Sequence, residues 1–244
     1  MHLVLAAVDS KDALQHELGQ LSPGSIREIK PGLFACELAF SAGARVPFLA
    51  FARQFVPDAR EVKAASIRSW ASLLVESVAG VLPDHKTWSL HVVPFKELGG
   101  SSRTGARAWH SRTRGGLPLP ASGVESKQSV GDHRCRLVRQ AAIELLQKRR
   151  RHLVRYLRQH EGVFVEDEAL VQLLLVSPET GFLSVAKAPL PFQEQQVVSC
   201  FPGGKVPLAV DKQAPSRAFA KLVEAELRLG RRIAARDTCV DLGA

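Results

Sequence analysis

The sequence predicts an α+β protein built from successive units. Three observations support this. Residues 1–98 alternate strand-like and helix-like apolar patterns in the order β-α-β-β-α-β. Residues 132–190 hold a long amphipathic helix and then two apolar runs around a turn. Residues 191–244 close on a helical stretch and one apolar strand, the start of an α/β unit.

Leu3–Val8 is a short apolar run and reads as the first strand. Ser10 is placed to cap a helix through Leu21, with Ala13, Leu14 and Leu18 along one side, and Pro23-Gly24 breaks it. Leu33–Phe40 and Phe48–Phe55 read as two strands around Ser41-Ala42-Gly43. Ser66 opens a helix to Leu82, with Ile67, Trp70, Leu74, Val78 and Val81 at helical spacing. Pro83-Asp84 stops it, and Trp88–Val93 is the last strand. This order is the ferredoxin-like pattern, expected as one domain over 1–98.

Residues 99–131 are rich in Gly, Ser and Arg and read as a flexible basic linker. His133–His160 reads as one basic helix with Cys135, Val138, Ala142, Leu145, Leu146, Leu153 and Leu157 as its apolar stripe, ended by Gly162. Ala169–Val176 and Phe182–Ala188 flank Ser177-Pro178-Glu179-Thr180-Gly181 as a β-hairpin. A helix starts near Pro215, a favoured first-turn position, and runs to Leu229. Cys239–Leu242 is the terminal strand, and Asp241-Leu242-Gly243 at its end reads as the first turn of a ligand loop.

Composition excludes some classes. No run of about 18 apolar residues is present, so no membrane span is expected. The apolar N-terminus lacks the basic start of a signal peptide. Cys36, Cys135, Cys200 and Cys239 are scattered without a paired motif, which fits a reducing, cytoplasmic location and argues against a disulfide framework or structural zinc. His133 and Cys135 stand two apart on a helix and point to different sides, so no metal is expected there. Gly203-Gly204-Lys205 lacks the upstream glycine of a P-loop and reads as a turn. Glu166-Asp167-Glu168 reads as a solvated loop.

The formal net charge is +9, and it is concentrated. Residues 134–158 hold nine cations: Arg134, Arg136, Arg139, Lys148, Arg149, Arg150, Arg151, Arg155 and Arg158. Against them stands one acid, Glu144. A solvated helix face is the plain explanation. Yet like charges three and four residues apart repel, and a phosphate partner would relieve that cost. The pattern therefore favours RNA contact through Arg139, Lys148–Arg151, Arg155 and Arg158. Arg103, Arg107, Trp109, Arg112 and Arg114 suit base stacking or a plain disordered linker equally.

The strongest local signal is Ala214-Pro215-Ser216-Arg217-Ala218-Phe219-Ala220-Lys221-Leu222-Val223-Glu224-Ala225, followed by Val240-Asp241-Leu242-Gly243-Ala244. From spacing alone, Lys221 and Glu224 form a solvated surface pair on a helix. Together the two segments resemble the entry into the FtsJ-like RNA ribose 2′-O-methyltransferases, and more closely the large-subunit ribosomal RNA methyltransferase M type. The motif covers residues 211–244. The resemblance implies a ferredoxin-like domain at 1–98, a THUMP-like RNA-binding region at 132–190, and the first helix and strand of a Rossmann-like methyltransferase domain at 191–244.

It also implies site residues. Lys221 matches the first lysine of the family's catalytic set, a cation beside the developing alkoxide of a ribose 2′-hydroxyl. Asp241, Gly243 and Ala244 match the start of the S-adenosylmethionine loop, and Ala218 aligns with a cofactor contact that only its backbone could make. The implied cofactor is S-adenosylmethionine and the implied partner is structured, ribosomal RNA. The family's later Pro-Gly-Gly-Trp loop and remaining catalytic positions do not follow Ala244. The chain is therefore expected to stop at the start of the methyl-donor motif and not to methylate alone. Its last 54 residues, 191–244, are expected to be poorly packed or docked on the upstream part. The alternative reading is a non-catalytic RNA-binding protein or a degenerate paralogue.

Overall fold

A computed structural model of the chain describes residues 1–7, 9–21, 26–37, 49–82, 85–96, 130–158, 164–165, 167–190, 197–206, 217–229, 234 and 236–238. The first elements are β1 (His2–Ala6), α1 (Lys11–Leu21), β2 (Arg27–Lys30), β3 (Leu33–Cys36), β4 (Ala52–Val56) and β5 (Arg60–Lys63). Then come α2 (Ile67–Ala79), β6 (Trp88–Pro94), α3 (Val130–Arg149), α4 (Arg151–Arg155), β7 (Ala169–Leu175) and β8 (Thr180–Ala186). A 3-10 turn (Pro202–Gly204) and α5 (Arg217–Leu229) complete the order.

The strands form two four-stranded sheets, ordered β2-β3-β1-β4 and β5-β8-β7-β6. In the first sheet β3 lies between β1 and β2 and runs antiparallel to both. This makes β1-α1-β2 a split β-α-β unit, the half-motif of the ferredoxin-like arrangement. The expected ferredoxin-like sheet over 1–98 is nevertheless not the one formed. The strand at Trp88–Pro94 pairs parallel to β7, from Trp88↔Ala169 to Pro94↔Leu175, and so belongs to the second sheet. The fourth place in the first sheet goes to β4, antiparallel to β1. A boundary at residue 98 therefore cuts through the second sheet.

Alternation explains the stacking. On β1 and β3, Val4, Ala6, Phe34 and Cys36 face Leu14 and Leu18 of α1. Leu3, Leu5, Leu33 and Ala35 face Leu174 and Phe182 of the second sheet. On β7, Ala169, Val171, Leu173 and Leu175 turn to the other side and pack under Trp70, Leu74 and Val78 of α2 and Val138, Ala142 and Leu146 of α3. The layers run α1, sheet, sheet, α2 with α3. This makes β7 buried along its whole length, which is why it reads as a near-continuous apolar run. Each fully buried Leu or Phe in these layers contributes about 2 kcal/mol.

The one polar residue inside β7, Gln172, meets Gln54 of β4 between the sheets. Gln54 Nε2 donates to Gln172 Oε1 at 2.9 Å, and Gln172 Nε2 donates to the Phe55 carbonyl at 3.2 Å. Gln54 Oε1 accepts from Ser199 N–H at 2.7 Å, which ties residues 197–206 to the same layer. The two buried indoles are also satisfied: Trp70 Nε1 donates to the Pro178 carbonyl at 3.0 Å and Trp88 Nε1 to the Leu153 carbonyl at 2.8 Å.

One local expectation changes and another holds. The helix read from His133 to His160 is interrupted at Arg150, whose φ of −144° and ψ of 54° are not helical, and α4 ends at Arg155. Leu157 then bridges to Trp88 beside β6. The hairpin at 169–188 forms with its turn held by Ser177 Oγ, which accepts from the N–H groups of Glu179 and Thr180. The linker reading at 99–131 falls almost wholly outside the described residues, as does the terminal strand at Cys239–Leu242. Among the described residues no helix is long and apolar enough to cross a membrane.

Candidate nucleic-acid interface

The second sheet ends at β6, and the basic residues gather along that edge and beyond it. Cys135, Val138, Ala142 and Leu146 turn inward from α3. Helical spacing then leaves Arg136 and Arg139 flanking the β6 edge, where Arg139 Nε reaches the Leu90 carbonyl at 3.4 Å. Between α3, β6 and the 3-10 turn lies a cleft of about 300 Å³. Its walls carry Arg53 from β4, Arg136 and Arg139 from α3, Arg158 after α4 and Lys205 after the turn, with His91 of β6 among them.

Glycine makes this wall possible. Gly204 has a φ of +70°, and a Cβ there would lie 1.9 Å from the Arg53 carbonyl oxygen. Only a residue without a side chain lets the turn press on β4 and bring Lys205 beside Arg53. The expectation of a plain turn at Gly203-Gly204-Lys205 stands, with an added role: it closes the cleft.

The charges in the cleft are poorly matched. Asp132 is the one acid in its wall, and it pairs with Lys96 at 2.7 Å. Arg158 is anchored by Glu168 at 2.8 Å. Glu168 is fully buried and also accepts from Ser89 Oγ and the Val165 N–H, so it is an anchor and not part of a solvated loop. Burial, then Arg139 and Arg158, press the His91 pKa down to about 4. Burial, then Lys96 and Arg53, lower that of Lys205. Burial lowers that of Arg53 as well. Burial lifts the Cys135 thiol, which also lines the cleft, to about 12, so it stays protonated and unreactive.

The remaining basic residues form a separate crest. Lys148, Arg149, Arg150, Arg151 and Arg155 stand exposed where α3 gives way to α4. Lys148 and Arg149 complement the C-terminal end of the α3 dipole. Arg150 and Arg151 sit at the start of α4, where the dipole disfavours cations. Arg155 stands in the last turn of α4, so helix electrostatics account for three of the five. The single acid of this stretch, Glu144, accepts from Gln140 one turn back. The structure therefore divides the seven expected RNA-contacting residues. Arg139 and Arg158 enter the cleft, and the other five make the crest.

No protein-family model and no curated protein matches the chain. Among solved structures it is similar to one titled a predicted N6-adenine-specific DNA methylase from Listeria monocytogenes, at 14% identity and a TM-score of 0.40 over 75% of this chain and 39% of that one. It is also similar to a possible methylase from Clostridium difficile, at 11% identity and a TM-score of 0.41 over 75% of this chain and 40% of that one. A third is TrmN from Thermus thermophilus, at 13% identity and a TM-score of 0.39 over 75% of this chain and 44% of that one. The chain spans about two-fifths of the length of each. Likeness this distant carries no functional weight, which leaves the chain's own residues to decide.

Of the sequence-derived methyl-transfer residues, Lys221 stands exposed on α5. Ala218 lies in the same helix with its side chain outside the described residues, and Asp241, Gly243 and Ala244 lie outside them altogether. Sequence reasoning missed His91, Arg53, Lys205 and Glu168. Their one legible signal was Glu168 following Glu166-Asp167, and acids in a loop more often mean solvent.

Among the described residues, no group of three or more His, Cys, Asp or Glu is placed to hold a metal.

Proposed function

We infer that this chain is the RNA-recognition part of an S-adenosylmethionine-dependent RNA methyltransferase. The observation that carries the reading is the exposed crest Lys148, Arg149, Arg150, Arg151 and Arg155, a charge density that packing does not require and helix electrostatics explain only in part. A phosphate backbone supplies the missing counter-charge. The methyl-transfer half rests on the paired sequence motifs alone. S-adenosylmethionine would supply the methyl group. Asp241, Gly243 and Ala244 would hold it, and the exposed Lys221 would stabilise charge on the acceptor oxygen. The ribose 2′-hydroxyl of large-subunit ribosomal RNA is the acceptor those motifs favour.

Charge reversal of Lys148, Arg149 and Arg151 to Glu tests the first half by fluorescence anisotropy with structured RNA. Affinity at fixed salt should fall at least a hundredfold, and the slope of log K against log salt should flatten by about three. Unchanged binding would remove the crest from the reading. Nucleoside analysis of methylated RNA tests the second half: 2′-O-methyl nucleosides support the motif, and a base-methylated product refutes the ribose assignment. The reading as a non-catalytic RNA-binding protein is favoured by one observation, that both basic surfaces are built without α5. Saturable S-adenosylmethionine binding, lost on Asp241→Ala, would set it aside.

A further inference from the structure

We propose that the cleft at the β6 edge is a phosphate-binding site, which seats one phosphate group of an RNA apart from the backbone contacts of the crest. The proposal deepens the RNA reading and rests on it for the source of the phosphate.

Three independent observations point to a ligand. First, cations converge on the cleft from four parts of the chain far apart in sequence: Arg53, Arg136, Arg139, Arg158 and Lys205. Asp132 pairs with Lys96 and also attracts Lys205, and Glu168 pairs with Arg158, so two carboxylates face five cleft cations and Lys96. Second, two polar atoms in the walls, His91 Nδ1 and Arg53 Nε, are buried without a hydrogen-bond partner among the described residues. His91 is 4% exposed, and burying an unpartnered polar group costs about 1–3 kcal/mol. Such groups call for a partner, and a ligand in the cleft is one that would complete them. Third, the cleft has the volume of a small-ligand pocket, about 300 Å³, which is the scale of one nucleotide unit and not of a helix groove.

The donor chemistry selects phosphate over other anions. Planar guanidinium forks suit tetrahedral oxyanions, and Lys205 adds a point charge. The phosphate could be an internal phosphodiester or a terminal monoester, and the experiment separates them.

The test uses the full chain and three proteins: wild type, the cleft variant Arg136→Ala/Lys205→Ala, and the crest variant Lys148→Glu/Arg151→Glu. Arg136 and Lys205 are exposed, so their replacement leaves the core alone. Binding of inorganic phosphate is read by phosphorus NMR line broadening at constant ionic strength, with acetate and chloride as controls. Saturable binding in wild type and crest variant, weakened at least tenfold in the cleft variant, is the expected result. No saturable phosphate binding, binding matched by acetate, or binding weakened only in the crest variant overturns the proposal. A second arm compares short single-stranded RNAs ending in phosphate or hydroxyl. A tenfold cleft-variant defect confined to phosphorylated ends identifies a terminal monoester, and one shared by both identifies a phosphodiester. A defect with neither overturns the site. Loss of phosphate binding with intact, crest-dependent RNA binding would end this proposal and leave the RNA reading standing.

Discussion

Acidification probes the cleft through His91. Its ring is buried, its Nδ1 has no partner among the described residues, and its pKa is held at about 4 against an ordinary 6.5. Burial is the larger cause, and the Arg139 and Arg158 charges add to it. As pH falls, the unfolded chain protonates this ring first and the folded chain resists. The stability that neutral His91 contributes is therefore intact above about pH 6.5 and is lost progressively as pH falls toward 4. At ~1.4 kcal/mol per unit, the gap comes to about 3 kcal/mol, a large part of a typical domain's stability. Urea denaturation between about pH 7.5 and about pH 4.5 measures it. His2 is also held low by burial and contributes in the same direction, so the observable is the difference between wild type and His91→Gln. The wild type should lose about 2.5 kcal/mol more than the variant across that range, which stops short of the folded pKa. Parallel pH profiles would refute the claim that a buried, neutral His91 lines a cationic cleft.

Three further outcomes are expected. Gly204→Ala places a Cβ 1.9 Å from the Arg53 carbonyl, whereas Gly203→Ala meets nothing closer than Val93 at 3.7 Å. By thermal melts the first should cost about 3 kcal/mol or more and the second about 1–2 kcal/mol, since both share only the positive-φ penalty. Glu168→Gln leaves Arg158 without its carboxylate in a buried site and should cost on the order of 3 kcal/mol in urea titrations. Arg139 in the cleft and Lys148 on the crest are separated along α3 by a rise of about 13 Å. At ~3.4 Å per step of one strand, RNAs shorter than about four nucleotides should respond to cleft variants alone, and longer ones to both, in anisotropy titrations.

The sequence was most legible where periodicity and burial agree. Ser66 caps α2 through the Ser69 N–H, and Trp70, Leu74 and Val78 are buried as the spacing implies, although the helix ends at Ala79, short of Val81 and Leu82. Helix α1 and the 169–186 hairpin also follow their patterns. Strand β2, Arg-Glu-Ile-Lys, was invisible because it is an edge strand with two of its four residues exposed, and charged residues suit an edge. The partition of strands between sheets was misread for a physical reason too. Local order suggests neighbours in sequence, but the β6–β7 pairing spans the whole 99–129 stretch, and no periodicity encodes a partner that distant. Arg139 and Arg158 were found through charge density. Arg53 and Lys205 stand alone in their segments, and nothing local marks them as part of one wall. Likewise, a single His in an apolar strand reads as packing until its unpaired nitrogen is seen.

The edge position of the cleft invites a simpler account of its charges. An unpaired strand edge risks pairing with another chain, and proteins guard such edges with charged side chains. Arg139 over the Leu90 carbonyl fits that role. Guarding, however, needs charges that are exposed and cheap to keep. It gives no reason for burying His91 without a partner, for sinking Arg53 until its pKa falls, or for folding a positive-φ turn onto β4 so that Lys205 joins cations already there. The unpartnered His91 and the desolvated Arg53 cost stability in the free protein, and the proposed anion would relieve both. Edge protection accounts for Arg139 and Arg136. Arg53, His91 and Lys205 fit the anion proposed for this cleft, for which the neighbouring crest makes RNA the proposed source.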